Sequence, residues 1–202
     1  MRKLNLKCTQ HQPYKSTTNS SHNSRISSNV LDQQFNPDKL NQVWSTDITC
    51  LLTRRGWVYL AIVMDLHSRK IVGWPMAERM GGLIMGAFQH AYVLRKPPRG
   101  LLHHSDRGSQ YTSRTYRKQL DDCSMQSSMN GRGNYSDNAV AEQFFGNLKH
   151  EWLAKVLHLI TRDRIINDVN QHIRDYNGTR LHATFDYQTP NEHENSQINV
   201  CN

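Results

Sequence analysis

Three carboxylates stand where chance would not put charge. Asp47 lies inside VWSTDITCLL, a run that otherwise reads as a strand. Asp106 ends the short apolar run of LLHHSDRGSQYTS, at a polar, glycine-bearing turn. Glu142 lies in SDNAVAEQFFGNLKHEWL, a strongly helical pattern that also carries Lys149. Ala141, Phe144, Phe145, Leu148 and Trp152 recur there at helical spacing as an apolar stripe. Glu142 and Lys149 are seven apart, which at about 100° per residue falls within about 20° of two full turns, so both project from one side. An acid and a base so placed beside the core stripe suit a site where the acid holds a cation and the base meets an anion. Three carboxylates converging at one sheet edge can hold divalent magnesium, which prefers hard oxygen ligands, and support in-line displacement at phosphorus.

The elements that must position these groups can be read in order. Gln42 to Leu52 predicts a strand, Thr53-Arg54-Arg55-Gly56 a turn, and Trp57 to Asp65 a buried central strand. Lys70 to Met76 gives a third strand, with Pro75 near its end. A helix spans about Leu83 to Arg95 and stops at Pro97-Pro98-Arg99-Gly100. Leu101 to His104 is a short strand ending at Asp106; Thr112 or Ser113 caps a helix to about Asp121, and Met125 to Ser128 is a fifth strand. Asn130 to Tyr135 reads as a mobile loop, followed by the long helix from about Asp137. Thr161 caps another helix with Ile165, Ile166, Val169, Ile173 and Tyr176 inward. Three hairpin strands followed by alternating helices and strands give a mixed α/β layer fold.

The composition narrows the class. The 202 residues suffice for one ordinary core. A formal net charge of +8 favours a polyanion partner, by neutralising phosphates and releasing counterions. The four cysteines are far apart and form no CxxC pair, which argues against a zinc knuckle or a disulfide framework; Cys50 and Cys123 read as buried thiols. No stretch approaches the roughly 18 consecutive apolar residues of a membrane span, and no apolar core follows the basic N-terminus as in a secretory signal. The expected place of work is the cytoplasm. Residues 1–40 read as a flexible basic lead-in, 41–190 as the core and 191–202 as a frayed tail.

Between Asp106 and Glu142 lie 142 − 106 − 1 = 35 residues. With VWSTDIT, GWVYLAIVMDLHSRKIVGW, GLLHHSDRGSQYTS, GNYSDNAVAEQFFGNLKHE and YNGTRLHATFDYQTP in this order, the chain resembles insertion-sequence transposases with a retroviral-integrase-type core, from roughly Val30 to Pro190. That resemblance implies a ribonuclease-H-like fold, a five-stranded mixed sheet flanked by helices. It implies that Asp47, Asp106 and Glu142 are catalytic metal ligands for Mg²⁺, with Mn²⁺ as a substitute, as two ions. It implies cleavage at transposon 3′ ends and strand transfer into target DNA by a homo-multimer. Lys149 matches the family's basic position seven after the Glu, where terminal DNA is met. Gly108 and Gln110 match its D-x-G-x-Q pattern, with a tight turn expected at Gly108.

Further DNA contacts are assigned to His104, Asn138 and Arg180, with a structural part for His104 and a helix-start part for Asn138 as the alternatives. Asp65 is read as a turn acid paired with Arg69, and Trp57, Trp74 and Trp152 as core. Phe185 and Asp186 depart from the family's Leu and Gly, and the end of the chain looks degenerate. Only the end of a preceding helix-turn-helix, or none of it, is expected here. These departures leave two alternatives: a transposase that depends on a separate helix-turn-helix polypeptide, or a truncated, inactive remnant that binds DNA without catalysis.

Overall fold

In the computed structural model of the chain, which describes residues 25–131, 135–152 and 161–200, a long antiparallel hairpin forms the centre of the sheet. Its strands are Val43–Thr53 (β1) and Gly56–Asp65 (β2). Gly56 closes the turn at φ +115°, a conformation that a side chain would strain. The next segment forms Ile71–Gly73 (β3) and Met76–Ala77 (β4) rather than one strand, and both pair with β2. The break falls at Pro75, which has no N–H to give the ladder, although its carbonyl accepts from the Ala61 N–H at 3.2 Å. Leu102–Ser105 (β5) and Gln126–Met129 (β6) add in parallel, completing the order β3-β2-β1-β5-β6. The five expected strand positions are all present, the third one split.

Alternation along β1 and β2 sends apolar side chains to both faces, so each face needs a helical cover. On one face Trp44, Ala61, Val63 and Val72 pack against the helix Leu83–Arg95 (α1) and the helix Arg114–Asp122 (α2). Gly73 lets β3 approach α1, because a Cβ there would meet the Ala87 carbonyl oxygen at 2.4 Å. On the other face Val43, Leu51, Leu60 and Ile62 pack against Ala139–Asn147 (α3) and Arg162–Gly178 (α4). Phe144 meets Tyr176 edge to face, ring centroids 4.9 Å apart. Ser113 caps α2 and Thr161 caps α4, each accepting a backbone N–H three residues on. Beyond α3 the helix widens into a π-helical turn, Leu148–Trp152. Ala141, Phe144, Phe145 and Leu148 are buried as the stripe requires; the Trp152 side chain lies outside the described residues.

Several sequence expectations are corrected. Residues 25–40 of the lead-in are laid against the sheet: Val30 and Leu31 donate their N–H groups to Ser128 Oγ, and Leu31 is buried. Residues 1–24 lie outside the described residues. The tail after Pro190 is a helix, Pro190–Val200 (α5), not a frayed end. Thr189 and Glu192 explain it: each accepts the other's backbone N–H, at 2.9 and 3.2 Å, a reciprocal cap with proline at the first helical position. Glu194, buried, pairs with Arg95 and Lys70 and fastens α5 to the sheet layer.

Asp65 pairs with Arg95 at 3.8 Å and accepts the N–H groups of Asn41, His67 and Ser68, while Arg69 turns to Asn36 instead. Trp57 is 48 % exposed at the hairpin tip, beyond the reach of the covering helices, so it is not core. Trp74 is partly buried against the core and donates to Asn170 Oδ1 at 3.0 Å. Cys50 and Cys123 are half-buried free thiols. Asp186 takes the left-handed conformation, φ 50°, that the family's glycine would occupy.

Candidate active site at the sheet edge

β1 and β5 pair in parallel, Trp44 beside His103 and Ser45 beside His104. Asp47 and Asp106 each lie two residues further on, so the same register sets them level on adjacent strands and on one face. The ladder ends at Ser45, and β5 itself ends at Ser105, so the acids stand where the sheet opens. Each carboxylate is held by a local backbone donor: Ile48 N–H to Asp47 at 2.7 Å and Gly108 N–H to Asp106 at 2.8 Å. The second bond is the turn expected at Gly108.

The third acid arrives on α3. Ser45 Oγ donates to Asn138 Oδ1 at 2.6 Å, both side chains buried, and pins the start of α3 to β1. From Asn138 to Glu142 the helix rises about 6 Å, at 1.5 Å per residue. From Ser45 to Asp47 the strand rises about 6.6 Å. A helix fastened at Asn138 and packed along β1 through Ala141 and Phe144 therefore brings Glu142 level with Asp47.

The electrostatics agree with this convergence. Burial, and then the charge of Asp106, push the Asp47 carboxyl well above the usual range; the Ile48 N–H opposes this, Glu142 adds to it and Lys149 counters it. Glu142 is exposed, yet dehydration by its surroundings and then Asp106 push its carboxyl up as well. The three acids repel one another through their charges, and loss of water adds to the cost of ionising Asp47 and Glu142. Among the described residues, no three such side chains are yet drawn together as closely as metal ligation requires.

Comparison with known proteins now bears on this geometry. The integrase core domain family matches residues 37–135, and a second integrase core domain family matches 124–190. The chain is 40 % identical over 184 residues to the insertion element IS600 uncharacterized 31 kDa protein of Shigella sonnei, covering 90 % of this chain and 67 % of that protein. It is 37 % identical over 200 residues to transposase InsF for insertion sequence IS3A of Escherichia coli K12, covering 98 % and 69 %. The chain belongs to the insertion-sequence transposases with an integrase-type core. Its function is DNA transposition. A solved structure of the HTLV-2 integrase catalytic core domain, in complex with magnesium and in a dimeric form, shares the fold: TM-score 0.58, 18 % identity, 77 % of this chain and 97 % of that one. The transposase thus has the expected ribonuclease-H-like fold.

The other predicted residues of the transposase divide. Lys149, half-buried on the π-helical turn, lies near enough to Asp47 to oppose the rise of its carboxyl pKa. Arg180 is held at Glu151 by two hydrogen bonds, at 2.7 and 3.1 Å, beside the same turn. His104 is fully buried, with Ser128 Oγ at 2.9 Å and Asn130 Oδ1 at 2.8 Å, and has no surface to offer DNA. Asn138 is buried too, and its part is to start α3. Gln110 turns its amide to the Met80 sulfur at 3.2 Å.

Sequence reasoning missed three residues. Ser45 could have been found as a polar side chain two before an acid on the same strand face. Asp137 lies within the 3-10 turn Tyr135–Asn138 before α3, its side chain buried. Tyr111 is buried beside the acids, where burial, then Asp106 and Asp47, raise its phenol pKa. An aromatic in a polar turn carries no signal of this until the turn folds under the sheet edge.

Proposed function

We propose that Asp47, Asp106 and Glu142 together hold two magnesium ions, with manganese as a substitute, and that the transposase cleaves at transposon 3′ ends and transfers those ends into target DNA. The observation that carries this reading is the shared register of Asp47 and Asp106, with Glu142 brought level by the Ser45–Asn138 bond. Bound there, the ions would activate a water or a 3′-hydroxyl and stabilise the leaving oxygen of an in-line displacement at phosphorus. The chain's own residues supply position. Asp47 sits on β1, laddered to β2, and Asp106 follows directly on the end of β5, and a local backbone N–H bonds each carboxylate. Glu142 closes the set from the surface of α3. Lys149 places positive charge beside the acids, suited to a phosphate of the terminal DNA. Arg180 can meet DNA only after leaving Glu151.

Transposition couples two ends, so the active assembly is a homo-multimer; the dimeric form of the related integrase core supports this. No helix among the described residues is long and apolar enough to cross a membrane. That fits a transposase working on the bacterial nucleoid.

The test is nicking of supercoiled plasmid with Mg²⁺ or Mn²⁺ beside Glu142→Gln. Nicking by the wild type alone establishes the carboxylate–metal site. Equal nicking by both forms, or by neither, goes against it, and DNA binding without nicking favours the remnant reading.

A further inference from the structure

Asp137 is a fully buried charge that the reaction above does not use. Among the described residues, donors to its carboxylate come from two separate parts of the chain. Asn29 Nδ2 donates at 3.0 Å and Gln33 Nε2 at 3.2 Å, both from the segment laid against β6. The Gly131 backbone N–H donates at 2.7 Å, from just past β6. Next along the chain is Asn138, bonded to Ser45, and one helical turn later comes Glu142. A buried carboxylate with charged hydrogen bonds is strongly placed, because losing a donor leaves charge without compensation in a poorly polarisable interior.

The same network reaches the second acid. His104, two residues before Asp106, bonds Asn130 and Ser128, and Ser128 Oγ in turn accepts the N–H groups of Val30 and Leu31. Ser27 Oγ donates to Ser127 Oγ at 3.0 Å on the same strand. The segment from Ser27 to Gln33 therefore touches both the strand pair that leads to Asp106 and Asp137, in the turn just before the Glu142 helix.

We propose that Asp137 is a positioning residue for Glu142, and that docking of Asn29 and Gln33 on its carboxylate is required for the three acids to bind their cation. This inference rests on the carboxylate–metal reading above. The physical basis is lever length. The start of α3 is fastened through two adjacent side chains, Asn138 to β1 and Asp137 to the docked segment, and Glu142 lies one turn from both. Loosening either lets the helix start rotate and carries the third acid away from Asp47 and Asp106. Groups that orient a metal site from behind are worth about 10- to 100-fold in metal affinity.

The experiment uses the full chain and Mn²⁺ as the probe. Melting temperature is followed across a Mn²⁺ titration for the wild type, Asn29→Ala/Gln33→Ala, Asp137→Asn and Glu142→Gln. Plasmid nicking is measured over the same Mn²⁺ range. The double variant keeps Asp137 and the core, so it is expected to fold, melting a few degrees below the wild type without metal because a buried carboxylate has lost two donors. Its Mn²⁺ midpoint should rise about tenfold or more, while nicking at saturating Mn²⁺ recovers most of the wild-type rate. Asp137→Asn should fall in the same direction. A purely structural pin would lower the metal-free melting temperature and leave the Mn²⁺ midpoint alone, and that outcome overturns the proposal. If the wild type has no Mn²⁺-induced shift that Glu142→Gln removes, the metal site and this proposal fall together. A wild-type shift with an unchanged midpoint in the double variant defeats the proposal alone.

Discussion

The Ser45 hydroxyl donates to the Asn138 side-chain oxygen across 2.6 Å of buried interior, 93 residues apart in the chain. This bond joins the strand of the first acid to the helix of the third. Asn138→Ala should cost about 1–3 kcal/mol of stability, since it leaves the Ser45 hydroxyl without its acceptor. It should lower plasmid nicking by more than the lost stability explains at a temperature where the chain is folded. Ser45→Ala with Asn138→Ala together should be no worse than either alone, and a melting series with paired nicking rates checks this.

Asp47→Asn removes one of three mutually repelling carboxylates. Without metal it should melt higher than the wild type, by a few degrees if the relief is about 1 kcal/mol. With Mg²⁺ it should show no nicking. Asp65→Asn should do the reverse, melting lower because Arg95 loses a buried partner, while nicking persists. Nicking by Asp47→Asn and not by Asp65→Asn would exchange the two assignments.

Lys149→Ala should weaken binding of a terminal DNA duplex. The slope of log K against log salt should shallow by about 0.9 if one phosphate is no longer neutralised. Binding isotherms at four or five salt concentrations read this directly. An unchanged slope would return Lys149 to a lysine that merely balances the acids.

Burial, followed by the charge of His104, lowers the His103 pKa from 6.5 to about 3. Its ring lies between Phe88 and Tyr116, with the Tyr116 hydroxyl 3.1 Å from Nε2. The unfolded chain takes up a proton below pH 6.5 that the folded chain refuses until about pH 3. Stability is therefore complete above about 6.5 and falls as pH drops, by up to about 1.4 kcal/mol per unit. Burial depresses His104 as well, so it adds to the same limb. Denaturant melts from pH 7 to pH 4 should show this slope, and His103→Gln should flatten it.

Much of this protein is determined by local sequence. Alternating and continuous apolar runs define β1, β2 and α1, because burial rewards only those periods. The three acids are legible because each interrupts an apolar or helical pattern with charge, and their order and 35-residue gap identify the family. The cap at Thr189 and Glu192 was equally local and shows that polar composition alone is a poor guide to an end: a helix can start on two side chains.

Tertiary structure decided everything that depends on register and enclosure. That Asp47 is level with Asp106 follows from which residue of β1 faces which residue of β5. No spacing along one chain encodes that offset. His104 and Asn138 each carry two readings in the sequence, a DNA contact or a structural part. The fold buries both and turns their hydrogen bonds inward, to Ser128 and Asn130 and to Ser45. Asp137 is the sharpest case: beside Asn138 in sequence it looks like an ordinary helix-start acid, and only the long-range return of Asn29 and Gln33 makes it a buried junction.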